Sequence, residues 1–326
     1  MRILVTGASG FLGRHVVDAA VAGGHAVVAA SRSGVIADPE PGVGQRAEAV
    51  LALDLADPDR LAAMVRDAAP DAVIHLAGFA NVGWSHRAPA EAIATNTAGT
   101  AALLTAVVEQ APGARVVLAS TSEVYARSPE PLGEADPTGP ESPYGLSKLW
   151  MEQTADYVQD RHGLSIGIVR SFAHCGPGQG AAFAVSNFAR QIAEARLAGQ
   201  ADCVVRTGSK ATVRDYSDAR DAAQAYLAMA ACDHPGPLNA GAGEGRTTAY
   251  VVAALAAAAG IAVDHVEDPD LVRPGENPAI VADIAAIAAA VGWQPSIRFA
   301  QSAADAVAWW TQRLERDPSL GTGIYG

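Results

Sequence analysis

From its second residue the chain alternates short, wholly apolar runs with longer stretches of helical pattern, and that alternation limits the fold to one class. Runs rich in Val, Ile and Leu cover residues 2–6, 26–30, 49–54, 72–76, 115–120 and 166–170. Helical patterns fill 10–21, 58–68, 90–110 and 143–162 between them. Strands apolar on both faces belong in a sheet covered on both sides, and strand–helix–strand connections make that sheet parallel. Right-handed crossovers then give an α/β, doubly wound sheet of Rossmann type, with ligands at the carboxyl ends of its strands.

The alternation weakens after about residue 170, where the sequence predicts a smaller, discontinuous C-terminal substrate domain. A Gly-rich turn at 176–180, a helix near 187–198 and a strand pair around 203–214 are expected there. Residues 237–240 are expected to return as the last strand of the main sheet. The predicted division is 1–169 with 215–245 for the Rossmann domain, and 170–214 with 246–326 for the second. The stretch 251–263 is mostly alanine, too short for a membrane span and interrupted by Gly260, so it reads as a buried helix.

The first apolar run leads directly into Thr6-Gly7-Ala8-Ser9-Gly10-Phe11-Leu12-Gly13, which opens the first helix. Glycines so spaced make a tight turn, let backbone approach a pyrophosphate and allow close helix–strand packing. This predicts a dinucleotide site that includes Gly7, Ser9, Gly10, Phe11 and Leu12. At the end of the second strand, where a carboxylate would hold an unmodified ribose, the chain has Ser31-Arg32-Ser33. Arg32 can pair with a ribose 2′-phosphate, so the expected cofactor is NADP(H) rather than NAD. Asp54 and Leu55 are expected near the adenine, and Leu76, Ala77 and Gly78 along the cofactor's path.

Of 23 Lys and Arg residues only Lys148 and Lys210 are lysine. Lys148 stands four residues after Tyr144, in Ser142-Pro143-Tyr144-Gly145-Leu146-Ser147-Lys148. On a helix that spacing puts both side chains on one face. An adjacent ammonium lowers a phenol's pKa from about 10 toward neutrality and suits it to proton transfer. Arginine offers neither a releasable proton nor a compact charge. Tyr144 and Lys148 are the expected catalytic pair.

The net charge of −12 and pI near 5 argue against nucleic acid or an anionic membrane surface as partner. An anionic ligand then has to be met by locally placed arginines and backbone N–H groups. Cys175, Cys203 and Cys232 form no disulfide framework and fit a reducing cytoplasm. The chain opens straight into a strand, so no signal peptide is expected. No metal is expected either.

The phosphate loop, Asn96-Thr97-Ala98-Gly99-Thr100, Tyr144-x-x-x-Lys148 and Arg214-Asp215-Tyr216-Ser217-Asp218 occur in that order. Together they resemble the extended short-chain dehydrogenase/reductases that act on nucleotide sugars. The resemblance runs from Met1 to about Arg313 and includes Gly292-Trp293-Gln294-Pro295. Within it, Phe172-Ala173-His174-Cys175-Gly176-Pro177-Gly178-Gln179 and Arg273-Pro274-Gly275-Glu276 are most similar to GDP-4-dehydro-6-deoxy-mannose reductases. Ser120-Thr121-Ser122-Glu123-Val124-Tyr125 is equally similar to GDP-mannose 4,6-dehydratases.

The resemblance implies Tyr144 as acid/base, Lys148 on the nicotinamide ribose and Thr121 on the sugar hydroxyl or carbonyl oxygen. Glu123 would position substrate in a reductase, or remove the proton next to a transient ketone in a dehydratase. His174 is implied near the nicotinamide. Arg214 and Arg273 would meet the nucleotide phosphates, Glu276 the nucleotide ribose, Asn187 the diphosphate and Ser85 the sugar. A homodimer through 90–110 and 143–162 is the family habit. Three positions depart from the pattern: Ala173 replaces an Asn, Ala126 a Gly, and Phe11-Leu12 the Gln-Asp of the dehydratases.

These readings favour an NADPH-dependent reductase of a nucleotide-linked 4-keto-6-deoxy sugar, GDP-linked by preference. An NADP-containing 4,6-dehydratase is the alternative. An epimerase or decarboxylase, and a non-catalytic dinucleotide sensor, stand further back.

Overall fold

The computed structural model describes residues 1–36, 47–272, 275 and 277–321. Strand β1 (Arg2–Thr6) turns into α1 (Phe11–Ala22), followed by β2 (Ala26–Ser31), β3 (Ala49–Ala52), α2 (Pro58–Ala68) and β4 (Ala72–His75). Short helices α3 (Val82–Ser85) and α4 (Pro89–Ile93) lead through a π-helical turn at Ala94–Ala98 into α5 (Gly99–Gln110). The single helix expected over 90–110 is therefore interrupted. After β5 (Arg115–Thr121) come α6 (Pro143–His162) and β6 (Ile166–Ser171). Both α2 and α6 begin with proline behind a capping side chain: Asp57 accepts the Arg60 N–H and Ser142 the Gly145 N–H.

The second half contains β7 (Ala173–Cys175), α7 (Ala184–Leu197), β8 (Asp202–Thr207), β9 (Val213–Asp218), α8 (Ala219–Ala230) and β10 (Pro237–Ala240). It continues with β11 (Gly245–Thr247), α9 (Thr248–Ala259), β12 (Ala262–Glu267), β13 (Ala279–Ile280), α10 (Ala285–Val291) and α11 (Phe299–Arg316).

Seven parallel strands form the main sheet in the order β10-β6-β5-β4-β1-β2-β3. Alternate residues of β1 serve opposite faces, as the two-residue period of a strand requires. Ile3 and Val5 pack with Val16, Val17, Tyr226 and Met229, on the side of α1 and α8. Leu4 packs with Leu61, Leu103, Leu104 and Met151, on the side of α2, α5 and α6. The connections reverse direction at β1 and β4, and the crevice outside their carboxyl ends is where such sheets bind ligands. Residues 237–240 do return to this sheet, as β10 beside β6.

The strand pair expected around 203–214 does not form. Strand β8 pairs in parallel with β12, and β9 lies between β11 and β13 while also pairing with β7. The exchange places Cys203, Val205 and Val263 against a third core that includes Val251, Leu255, Trp309 and Trp310. The segment 251–263 also divides. Helix α9 stops at Gly260, whose φ of 67° is the left-handed conformation that glycine adopts freely, and β12 follows. Of α9 only the stripe Val251, Val252 and Leu255 is buried. No described helix is long and apolar enough to cross a membrane, and no group of described side chains could hold a metal.

Candidate active site

One cleft runs along the carboxyl ends of the main sheet and holds about 1670 Å³. A site for a single small ligand occupies roughly 300–1,000 Å³, so this one has room for two.

The glycine turn forms its first wall. Gly7 has φ 70°, and a Cβ on it would stand 2.6 Å from the Ala77 backbone nitrogen, so the loops after β1 and β4 touch through bare backbone. Helix α1 starts at Gly10 with no side-chain cap. Its first N–H groups are thus left for a ligand, and the dipole at that end favours an anion. Ser9, Phe11 and Leu12 line the cleft there. At the far end Arg32 stands exposed beside Ser33, Asp54 and Leu55. Arg60, in the first turn of α2, lines the same end and went unnoticed in the sequence. The cradle, open helix terminus and exposed guanidinium together fit a phosphorylated dinucleotide.

The chemistry gathers at the other end. Thr121 closes β5, Glu123 sits in the 3-10 turn that follows, and Tyr144 and Lys148 lie in the first two turns of α6. All four line the cleft. Gly145 lies so close to the Glu123 carbonyl that no Cβ would fit, which lets α6 press its first turn against the end of β5. The Tyr144 phenol shares a hydrogen bond with Thr121. Lys148 is 7% exposed and donates to the Ala119 carbonyl at 2.7 Å.

The electrostatics reverse one expectation. Burial pushes the Tyr144 phenol up to about 12, against the Thr121 hydrogen bond, and the Glu123 carboxylate adds to the rise. Burial also pulls Lys148 down to about 8, opposed by Glu152 one turn further along α6. The lysine is aimed at a strand carbonyl and does not hold the phenol near neutrality. At pH 7 Tyr144 is a protonated phenol, a donor.

His174 stacks on Phe11 with ring centroids 5.7 Å apart, and desolvation lowers its pKa to about 4. It lines the cleft as a neutral ring, as do Leu76, Ala77, Gly78 and Ala173 along its floor. Arg214 also lines the cleft, with Nη1 donating to the Val213 and Asn277 carbonyls. Two expected residues do not face it. Ser85 is fully buried, donating to the Val82 carbonyl and accepting from the Tyr144 N–H, so it anchors α6 rather than a sugar. Asn187 turns along α7 and accepts from Arg190 at 3.2 Å. Arg273 and Glu276 lie outside the described residues.

Two buried groups that support the site carried no role in the sequence. Asn96, in the π-helical turn, accepts from the Phe79 N–H and donates to the Phe79 carbonyl and the Ser147 hydroxyl, tying α6 to the loop after β4. Its motif, Asn96–Thr100, was visible. Glu152 accepts from Arg170 and from Ser120, and the Arg170 guanidinium lies 4.8 Å over the Tyr125 ring. Glu152 follows Lys148 by four residues, and that spacing was the available signal.

A model of the NAD dependent epimerase/dehydratase family matches residues 3–241. Over 320 residues the chain is 30% identical to the GDP-6-deoxy-D-mannose reductase of Pseudomonas aeruginosa, covering 97% of this chain and 99% of that one. It is 31% identical over 341 residues to the UDP-glucose 4-epimerase of Yersinia pestis, with 98% and 100% covered. Among solved structures, that of RMD from Pseudomonas aeruginosa complexed with NADPH superposes with a TM-score of 0.82 at 29% identity. The match covers 96% of this chain and 98% of that one.

Proposed function

We propose that this chain, which belongs to the NAD dependent epimerase/dehydratase family, is an NADPH-dependent reductase of a 4-keto-6-deoxy sugar carried on GDP. The observation that carries this reading is the protonated Tyr144 phenol hydrogen-bonded to Thr121 in the cleft. Reduction of a ketone calls for a proton donor at the carbonyl oxygen, and a phenol held up near 12 is one throughout the neutral range.

NADPH, when bound, would supply the hydride that reduces the carbonyl. Tyr144 gives its proton to the oxygen that forms, and Thr121 holds that oxygen in line. Lys148, between the Ala119 carbonyl and the cleft, takes the nicotinamide ribose. Arg32 meets the 2′-phosphate, and the open terminus of α1 the diphosphate. Arg214 takes the nucleotide phosphates of the sugar, with Arg273 and Glu276 assigned from the resemblance. The neighbour bound to NADPH supports this cofactor.

A 4,6-dehydratase is the second reading, favoured by Glu123 lining the cleft within electrostatic reach of the phenol. Purified protein mixed with GDP-mannose and no added cofactor separates the two. Formation of a 4-keto-6-deoxy product would sink the reductase reading, and NADPH consumption only on addition of that keto sugar supports it.

We place a nucleotide half at 1–169 with 215–245, and a sugar half in the remainder. The setting we propose is cytoplasmic. The exposed Trp150 and Tyr157, seven residues apart on α6, support a homodimer through that helix, which light scattering on the purified chain would test.

A further inference from the structure

Strands β5 and β6 end side by side, with Thr121 and Ser171 as register partners. Paired residues on neighbouring strands stand about 4.8 Å apart and send their side chains to the same face. Ser171 is half-buried and lines the cleft beside Thr121 and Tyr144. Beside it, in α8, Tyr226 borders the same cleft but has no exposed surface, with its hydroxyl 2.8 Å from the oxygen of the more exposed Ser171.

Two hydroxyls carry two hydrogens and share one bond. Ser171 is the hydrogen-bond partner that Tyr226 has among the described residues, and a buried donor left without an acceptor is costly. The arrangement that wastes neither hydrogen has Tyr226 donating to Ser171. The serine's own hydrogen then turns into the cleft. Desolvation pushes the Tyr226 phenol up, so it keeps its proton and is able to donate it to Ser171.

We propose that Ser171 is a preset hydroxyl donor to a ligand carbonyl oxygen, with Tyr226 as the positioning residue that sets its direction. A bound nicotinamide and a keto sugar would bring two candidate acceptors to this end of the cleft, the carboxamide oxygen and the ketone oxygen. This inference rests on the reading of the cleft as a nicotinamide and keto-sugar site.

The test uses the full chain and two readouts, NADPH binding by fluorescence titration without sugar, and steady-state turnover of the keto sugar. If the partner is the carboxamide, Ser171→Ala weakens NADPH binding about fivefold to tenfold. If it is the ketone, NADPH binding holds and kcat/KM for the sugar falls by a similar factor. Ser171→Thr keeps the hydroxyl and stays near the parent in both. Tyr226→Phe, which retains the ring, moves the same readout as Ser171→Ala by a smaller factor. Ser171→Ala within twofold of the parent in both readouts overturns the proposal, as does an equal loss in Ser171→Thr. If Ser171→Ala does not fold, an unchanged Tyr226→Phe overturns it. A parent chain that fails to bind NADPH refutes the functional reading itself, before any variant is made.

Discussion

Arg170 and Glu152 form an ion pair 2.7 Å apart beneath the cleft, with side chains only 7% and 6% exposed. Removing one partner of such a pair strands the other's charge, at about 3–5 kcal/mol, whereas replacing both with apolar residues costs far less. Glu152→Ala should lose that much stability in urea unfolding. The double variant Arg170→Met with Glu152→Leu should recover most of it, and no recovery would mean that the pair's hydrogen bonds to its surroundings matter more than its charge.

Gly145 sets how closely Tyr144 approaches Thr121, because α6 meets the Glu123 carbonyl there without room for a side chain. A displacement of about 1 Å at a reacting group can cost about 100-fold in rate. Gly145→Ala should lower kcat on that order while NADPH binding stays within about twofold. Equal losses in both would place the damage in the whole cleft.

Arg32 is an exposed guanidinium at the end of the cleft where we place the adenosine. Arg32→Ala should raise the KM for NADPH about tenfold or more and leave NADH unchanged, since only NADPH offers the second charge-assisted contact. A parallel change for both cofactors would overturn the 2′-phosphate assignment.

The pH profile follows from two groups. Tyr144 keeps its proton until about 12, so it does not limit reduction in the ordinary range. Lys148, at about 8, loses its charge first. Reduction should therefore be level through neutral pH and decline above about 8, and a decline starting near 6 would exclude this assignment.

Stability has its own acid limb. His75 sits between the Thr6 and Thr100 hydroxyls with its pKa near 3, and His174 lies near 4. Both folded values are below the ordinary 6.5, so as pH falls the unfolded chain takes up protons first. Stability should drop from about pH 6.5 toward 4 with a slope of about 1.4 kcal/mol per unit for each histidine. His75→Gln should remove one histidine's share of that slope, to which buried His15 also contributes, as read from denaturation midpoints across pH.

The sequence disclosed what local rules govern. Helices α2 and α6 fall on 58–68 and 143–162 because proline and a capping oxygen mark their starts. Most of the β1–β6 runs were visible because strands buried on both faces are apolar through their centres, with polar residues such as Arg2, His75 and Ser171 only at their ends. The partners of β8 and β9 were not, since β8 finds β12 some 60 residues later and both of these strands are largely exposed, without the apolar run that marks a buried one. The Tyr144–Lys148 pair was legible as chemistry, but its proton affinities depend on burial that no spacing reports. Ser85 was named from the resemblance alone, and nothing in the sequence reports that it ends α3 fully buried against the Tyr144 N–H. Glu152, a carboxylate on a long helix, reads as a solvent-facing charge.

The edge of the main sheet is completed late. Strand β10 pairs with β6, yet it arrives only at Pro237, after β7, β8 and β9 have been made. A nascent chain that has emerged only as far as Ser171 therefore carries an unpaired parallel edge and lacks the α8 side chains that cover one face of the sheet. Such an edge is a template for pairing with another chain. Strand β6 is therefore an open edge from its synthesis until β10 is made, and that interval is the one in which mispairing with another chain is least hindered.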